Sequence, residues 1–385
     1  MKQVSMKKML MVASVPSMIG LFNIENIRLL LEIGYKVHAA CNFQDSSIWP
    51  REKTKQFIVQ MKGLGIKLHQ ISFSRTPRDL KGMVQSYWQM DKLVKKEKFQ
   101  FVHCHTPVAG VVCRIVCKKN HIKVVYTAHG FHFYEGAPLK NWLLYYPVEK
   151  WMSRCTDVLI TINHEDYRRA KKKFYAKKTV YVPGTGVDIE KFKSGLADKG
   201  EKRKELGLED EDVMLLSVGE LNQNKNHATV IRALAGAEHK NLHYIIAGQG
   251  EAEERLLKLA NRLGVRQQIH LLGYRADVPQ LMQAADIFLL PSIREGLNVS
   301  LMEAMASGMP CICSDIRGNR DLIKNGIGGY MVDALDVAGW QEAISKVLDM
   351  GKGFGSSNAE KIAKGFSHLQ VQDMMKKIYM QYVGK

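Results

Sequence analysis

The chain has 385 residues, enough for two or three domains with ample core, and its 46% apolar and 24% charged content is that of a globular protein. No apolar stretch approaches the roughly 18–20 residues that span a bilayer, and the basic start at residues 1–10 runs into a short strand-like segment, not a secretory one. The net charge of +18 lies almost wholly in residues 1–190, which hold 31 Lys and Arg against 14 Asp and Glu. Such a half suits an anionic partner, either nucleic acid or an anionic membrane surface. Against nucleic acid, the chain carries no helix-turn-helix, RNA-binding sheet signature or zinc finger.

Residues 9–13 read as a strand, 14–20 as the loop after it, and 24–33 as a helix ended by Gly34. Residues 36–40, 101–103, 123–127 and 157–162 read as further strands. The alternation implies an α/β chain with a parallel, doubly wound sheet. The second half repeats the plan, with strands at 213–218, 242–247, 269–272, 287–290 and 310–313. The join falls near 187–200, within Pro183-Gly-Thr-Gly-Val-Asp188 and the polar stretch 194–202. This gives a basic Rossmann-like domain over 1–190, a second over 191–366, and an amphipathic terminal segment over 367–385. The seven cysteines are odd in number, lie mostly in apolar runs and form no Cys-x2-Cys pair, which predicts reduced core thiols.

The most informative stretch is Glu295-Gly-Leu-Asn-Val-Ser-Leu-Met-Glu303, two carboxylates eight residues apart after the apolar run 286–291. Glu295 falls in the loop at the carboxyl end of a strand, and Glu303 about one and a half turns into a helix starting near Asn298. Ligands bind at that edge of open α/β sheets, and a helix start there offers unpaired N–H groups to an anion such as a diphosphate. One carboxylate can then take hydrogen bonds from sugar hydroxyls and the other from ribose. Gly296, Leu297 and Asn298 form the turn under the diphosphate. Gly219 ends the first strand of the second half, and Lys225 follows within reach of phosphates. His129, in Thr127-Ala-His-Gly130, sits at the carboxyl end of a strand of the first half, with His132 a weaker candidate. His103-Cys-His105 would place two imidazoles on one face of a strand end, but without a second ligand pair it is a poor metal site. Asp210-Glu-Asp212 lies at the amino end of a strand, away from the ligand edge, and reads as a solvated acidic turn.

These motifs resemble the E-x7-E element and its surroundings in retaining family-4 glycosyltransferases of the GT-B fold, over nearly the whole chain. The chain is similar to bacterial enzymes that build exopolysaccharide or capsule repeat units on a lipid carrier. The resemblance implies two Rossmann-like domains facing a central cleft, with the terminal helix crossing back onto the first. It implies transfer of a sugar from a nucleotide-diphosphate sugar, UDP by family habit, to a hydroxyl of a lipid-linked saccharide with retained configuration. Glu295 would position donor hydroxyls, Lys225 and Gly219 would serve the diphosphate, Glu303 the ribose, and Arg275 or its backbone the base. His129 would lie near the reaction centre, and Gly20 would let the first loop approach the diphosphate. The family usually has Arg directly after the glycine of the donor loop; Glu220 stands there instead. No metal or other cofactor beyond the nucleotide sugar is expected, nor nucleic acid as a partner. The expected location is cytoplasmic, peripheral on the inner face of the cell membrane. The alternatives are a GT-B enzyme of other sugar-nucleotide chemistry or a basic nucleic-acid-binding protein.

Overall fold

The computed structural model describes residues 7–76, 78–193, 199–237, 241–351 and 353–383. They fall into two compact units, Met1–Thr185 with Val371–Lys385, and Gly186–Gln370. The chain passes between units at 185/186 and 370/371, near the 190/191 and 366/367 read from sequence. Residues 194–198 of the polar join lie outside the described residues.

The first unit has strands β1 (Lys8–Val12), β2 (Lys36–Cys41), β3 (Lys67–Gln70), β4 (Phe101–His105), β5 (Lys123–Ala128), β6 (Val158–Thr161) and β7 (Lys178–Tyr181). They form one sheet in the order β3-β2-β1-β4-β5-β6-β7, every neighbouring pair parallel. Its helices are α1 (Pro16–Phe22), α2 (Ile24–Glu32), α3 (Arg51–Gly63), α4 (Leu80–Glu97), α5 (Pro107–Lys119), α6 (Leu139–Met152) and α7 (His164–Lys173). Met9, Leu10, Met11 and Val12 are all fully buried, because helices cover both faces of a parallel sheet; this is why β1 reads as an unbroken apolar run. Two apolar clusters follow, one on each face. Six of the seven cysteines are buried, and all are free thiols.

The second unit carries α8 (Lys199–Glu205), β8 (Val213–Val218), α9 (His227–Ala235), β9 (Leu242–Ala247), α10 (Glu253–Arg262), β10 (Ile269–Leu271), α11 (Val278–Ala284) and β11 (Ile287–Leu290). It continues through α12 (Val299–Ala306), β12 (Cys311–Ser314), α13 (Asn319–Leu322), β13 (Gly329–Val332), α14 (Val337–Met350) and α15 (Ser356–Gly365). Its parallel sheet runs β10-β9-β8-β11-β12-β13, so the strand order reverses between β8 and β11, as it does between β1 and β4 in the first unit. The last helix, α16 (His368–Ile378), returns the chain to the first unit. There Val371, Met375, Ile378 and Tyr379 join the cluster built on Met9, Met11 and Ile27, and the Tyr379 hydroxyl lies 2.9 Å from His103 Nδ1.

One local expectation is corrected. Residues 14–20 do not form an open loop: Pro16, with no N–H to waste, starts α1 at its first turn, and Gly20 lies inside that helix. A Cβ on Gly20 would collide with the Trp49 ring, so the packing of Trp49 on α1 already requires a glycine here.

Candidate active site

In the second unit, the order reversal between β8 and β11 brings two loops together. Gly219 leaves β8 with a positive φ of 156°, and a Cβ there would press on the Lys225 stem. The Lys225 ammonium lies 2.8 Å from Glu295 Oε1 in the loop after β11, and both side chains are largely shielded from water. Asparagines zip the loops together: Ile293 N–H donates to the Asn224 carbonyl at 2.8 Å, and the Asn224 amide donates to the Arg294 carbonyl at 2.9 Å. The Asn226 amide, on a residue in the left-handed region, donates to the Pro291 carbonyl at 3.1 Å. Glu220, at the position where the family has Arg, is exposed and accepts from the Asn222 amide at 2.8 Å.

Asn298 is the N-cap of α12. Its side-chain oxygen accepts from Leu301 N–H at 2.9 Å and from the Ser300 hydroxyl at 2.8 Å. Among the described residues, the N–H groups of Gly296, Leu297, Asn298, Val299 and Ser300 have no partner. Five free donors at a helix start, beside an ammonium group, make a place for a diphosphate. Glu303, further along α12, is half-buried, and its carboxylate has no hydrogen-bond partner among the described residues. Burial raises its carboxyl to about 7, and Lys191 pulls weakly the other way.

Two residues not singled out from sequence hold the Glu295 turn from below. Buried Arg317 donates from Nε to the Glu295 carbonyl at 3.2 Å. Gly318, at φ +78°, packs so close that a Cβ would strike the Gly296 carbonyl. The available signal was a glycine directly after the strand–turn of β12.

Arg275 is not free for a base through its side chain. Its guanidinium pairs with Asp277 and, at 2.7 Å, with Glu205, and holds Asp277 well below the usual carboxylate range. Its backbone is the part left for a ligand. Asp210–Asp212 stands just before β8. The cavity of about 830 Å³ at that amino edge is lined by Lys199, Arg203 and Asp286, whose charges already pair with one another at 2.9 and 3.1 Å.

In the first unit, His129 follows β5 and its Nε2 lies 3.0 Å from His105 Nδ1; His105 Nε2 faces the Met11 sulfur at 3.2 Å. A thioether only accepts, so His105 carries its proton on Nε2, and its Nδ1 accepts a hydrogen bond from His129 Nε2–H. That leaves His129 Nδ1 as an acceptor. Burial lowers His129 to about 4, so the ring is neutral at pH 7. Asp166 clamps this loop by accepting from Phe131 N–H at 3.0 Å, and Asn163 caps α7 and holds Asp166 at 2.9 Å. Asn163 and Asn23, which bonds Met18 and Asn26, are therefore structural. At the reversal between β1 and β4, the Ser14 and Thr106 hydroxyls meet at 2.8 Å.

His103 and His105 share one face, but His103 is spent on Thr127 and Tyr379, and its pKa falls to about 3 through burial. The one group of ligand-bearing side chains close enough for a metal, among the described residues, is His38, His69 and Glu97. Lys8 and Lys67 lie 3.0 and 2.6 Å from the Glu97 oxygens, so two cations already occupy its carboxylate.

Two family models cover most of the chain: the one described as glycosyl transferases group 1 matches residues 198–364, and glycosyltransferase family 4 matches residues 24–191. The chain is 35% identical to EpsD of Bacillus subtilis (strain 168) over 387 residues, 98% of this chain and 97% of that one. It is 32% identical to the UDP-Gal:alpha-D-GlcNAc-diphosphoundecaprenol alpha-1,3-galactosyltransferase of Escherichia coli, over 80% of each chain. Anabaena Alr3699/HepE, solved in complex with UDP, superposes with a TM-score of 0.76 at 19% identity, covering 97% of this chain and 99% of that one, a likeness of fold.

Proposed function

The chain belongs to the family-4 glycosyltransferases of GT-B architecture, and from that premise we propose that it moves a hexose from a UDP-sugar to a hydroxyl of a lipid-linked saccharide, with retention. The observation that carries this reading is the Lys225–Glu295 pair at the strand-order reversal, beside five unpaired N–H groups at the start of α12. A sugar nucleotide presents both partners of that pair with something better. The diphosphate draws the Lys225 ammonium and the free N–H groups, and the sugar hydroxyls donate to the released Glu295 carboxylate. Glu303 accepts from the ribose hydroxyls. The lipid-linked acceptor and UDP are carried over from the Escherichia coli relative's activity.

The bond from the anomeric carbon to the diphosphate oxygen breaks while one to the acceptor oxygen forms on the same face. The acceptor proton passes to the leaving phosphate oxygen. Lys225 and the helix start offset the charge that gathers on the diphosphate, the largest kind of catalytic term. Glu295 orients and does not attack. His129 Nδ1 accepts from a substrate hydroxyl in the first unit's part of the reaction. The cationic side chain and the N–H groups supply positive charge at the diphosphate, so the transfer runs without a divalent cation. Activity abolished by chelator and restored by Mn²⁺ overturns that last point.

A screen of UDP- and GDP-sugars, with and without a lipid-diphosphate-saccharide acceptor, tests the reading. The expected result is release of one nucleotide, raised by acceptor and lost in Glu295→Ala. Silence across the panel with no thermal shift by UDP or GDP overturns it.

A further inference from the structure

Helix α6 is apolar on both faces. Its exposed face carries Leu139 (81% exposed), Leu143 (76%), Leu144 (63%), Val148 and Trp151 (59%), while its inner face packs Trp142, Tyr145, Tyr146 and Met152 inward around one buried carboxylate, Glu149. A surface helix normally turns its charges to water and its leucines inward. Here Glu149 accepts from Arg114 Nη1 at 2.9 Å and from the Tyr126 hydroxyl at 3.0 Å, in a site where Arg114 is almost fully buried. That buried network, with Trp142, Tyr145 and Tyr146 packed on the core, holds the helix in the orientation that leaves its leucines in water. A contiguous apolar stripe of this kind marks a contact surface.

Cations flank the stripe. Exposed Lys140 and Arg154 stand at the two ends of α6. Between α6 and α7 runs a groove of about 460 Å³ lined by Trp142, Tyr146, Arg168, Arg169, Lys172 and Lys173, with Glu165 as its acidic member. Glu165 is neutralised by Arg169 at 3.0 Å, and among the described residues Arg168, Lys172 and Lys173 have no acidic partner. Aromatic rings at the groove and leucines beside it, under a set of unneutralised cations, match the interfacial zone of an anionic bilayer: apolar side chains among acyl chains, cations at phosphate depth.

We propose that the α6 face and the α6–α7 groove dock this unit onto a bilayer bearing anionic phospholipid headgroups. The proposal rests on the acceptor being lipid-linked, and it gives that acceptor a location. The Asn141 amide of α6 donates to the His132 carbonyl at 2.9 Å, and the His132 ring stacks on Tyr145 of α6 at 4.6 Å. The loop that carries His129 is thereby fastened to the docking helix, three residues from that histidine. A headgroup diphosphate held at the membrane surface would reach the unit beside this loop.

The test is co-sedimentation of the full chain with vesicles of phosphatidylcholine alone and of phosphatidylcholine with phosphatidylglycerol, at low and high salt. Wild type should partition to the anionic vesicles and release with salt. Leu143→Ser with Leu144→Ser should cut partitioning about tenfold or more. Each of Arg168→Gln, Lys172→Gln and Lys173→Gln should cut binding to anionic vesicles about fivefold and leave the neutral ones unchanged. These positions are exposed, so melting temperatures should hold. Wild-type binding in the leucine double variant overturns the proposal. So does an absence of vesicle binding coupled to a dimer that the same variant dissolves, because a second copy would then cover the stripe. Transfer to a short-chain, water-soluble acceptor is measured in parallel. Its persistence in the docking variants is the expected result, and its absence in wild type counts against the transferase reading while the vesicle result stands.

Discussion

Lys225 Nζ and Glu295 Oε1 lie 2.8 Å apart, joining two loops seventy positions distant in sequence. In the free protein each is the other's counter-ion. A ligand that carries both a diphosphate and hydroxyl groups separates them at little cost, because each partner leaves one charged contact for another. A ligand with only one of those features strands a partner.

Glu295→Ala should therefore lose turnover by about 10²-fold or more, while UDP affinity changes by only a few-fold. Steady-state rates and calorimetric titration with UDP decide it. Wild-type turnover in this variant would remove Glu295 from the site. Lys225→Ala should weaken UDP as well as slow turnover, which separates the two roles.

Glu303 titrates near 7 against an ordinary value of 4.5, because burial disfavours its ionised form. The folded value is raised, so its contribution to stability is full below about 4.5 and is lost as pH climbs through 7. Glu303→Gln should then be more stable than wild type in urea unfolding at pH 8, by about 1–2 kcal/mol after allowing for partial exposure, and gain nothing near pH 4.5. Ribose binding calls on the ionised form, so UDP affinity of wild type should fall about tenfold from pH 8 to pH 6 beyond any fall seen in the Gln variant. Parallel pH profiles for the two proteins would refute the ribose contact.

Arg317→Ala removes a buried donor from the Glu295 carbonyl, at a cost of about 1–3 kcal/mol in urea unfolding. Turnover should drop further than the loss of stability accounts for, because the Glu295 turn is left unsupported. Gly318→Ala should be harsher, since the new Cβ meets the Gly296 carbonyl at a positive φ. An unchanged rate in both would show that the turn holds its shape without them.

The Arg114–Glu149 pair is buried on both sides. Glu149→Ala should cost about 3–5 kcal/mol, because it strands a buried guanidinium, and the Arg114→Leu, Glu149→Leu double variant should recover most of that loss. Urea unfolding of the single and double variants measures it; additive losses would mean that the pair is not coupled.

Much of the fold was legible in the sequence where burial is two-sided. Runs such as Met9–Val12 and Ile287–Leu290 can be little else than central strands of a covered sheet. The strands that escaped are β3, β7 and β13, which lie at or beside sheet margins, are only partly buried and mix polar with apolar residues. Helix α1 escaped because a proline serves as a loop signal and a helix start alike. The α12 cap at Asn298 could be read because it is local, and so could the placing of Glu295 in a loop and Glu303 on a helix. The Lys225–Glu295 contact could not, because spacing along a chain says nothing about which loops a sheet brings together. Arg317 was invisible for another reason: it acts on a backbone carbonyl, which every residue has. Arg275 shows the same limit from the other side: its carboxylate partners, two and seventy residues away, could not be read from spacing, and they leave its backbone as the part free for a ligand.

The six strands of the second sheet repeat the order of the first six of the first, so each sheet has one reversal, closed differently. Ser14 and Thr106 close the first with neutral hydroxyls, and Lys225 and Glu295 close the second with opposite charges. Neither closure is needed for topology, which the buried strands and helices supply. The residues at the reversal are therefore the part of each half that could diverge after a duplication without endangering the fold. A division of labour between two halves of common plan would then have needed changes at few positions, and descent from a single ancestral half should be sought in the strands and not in the loops.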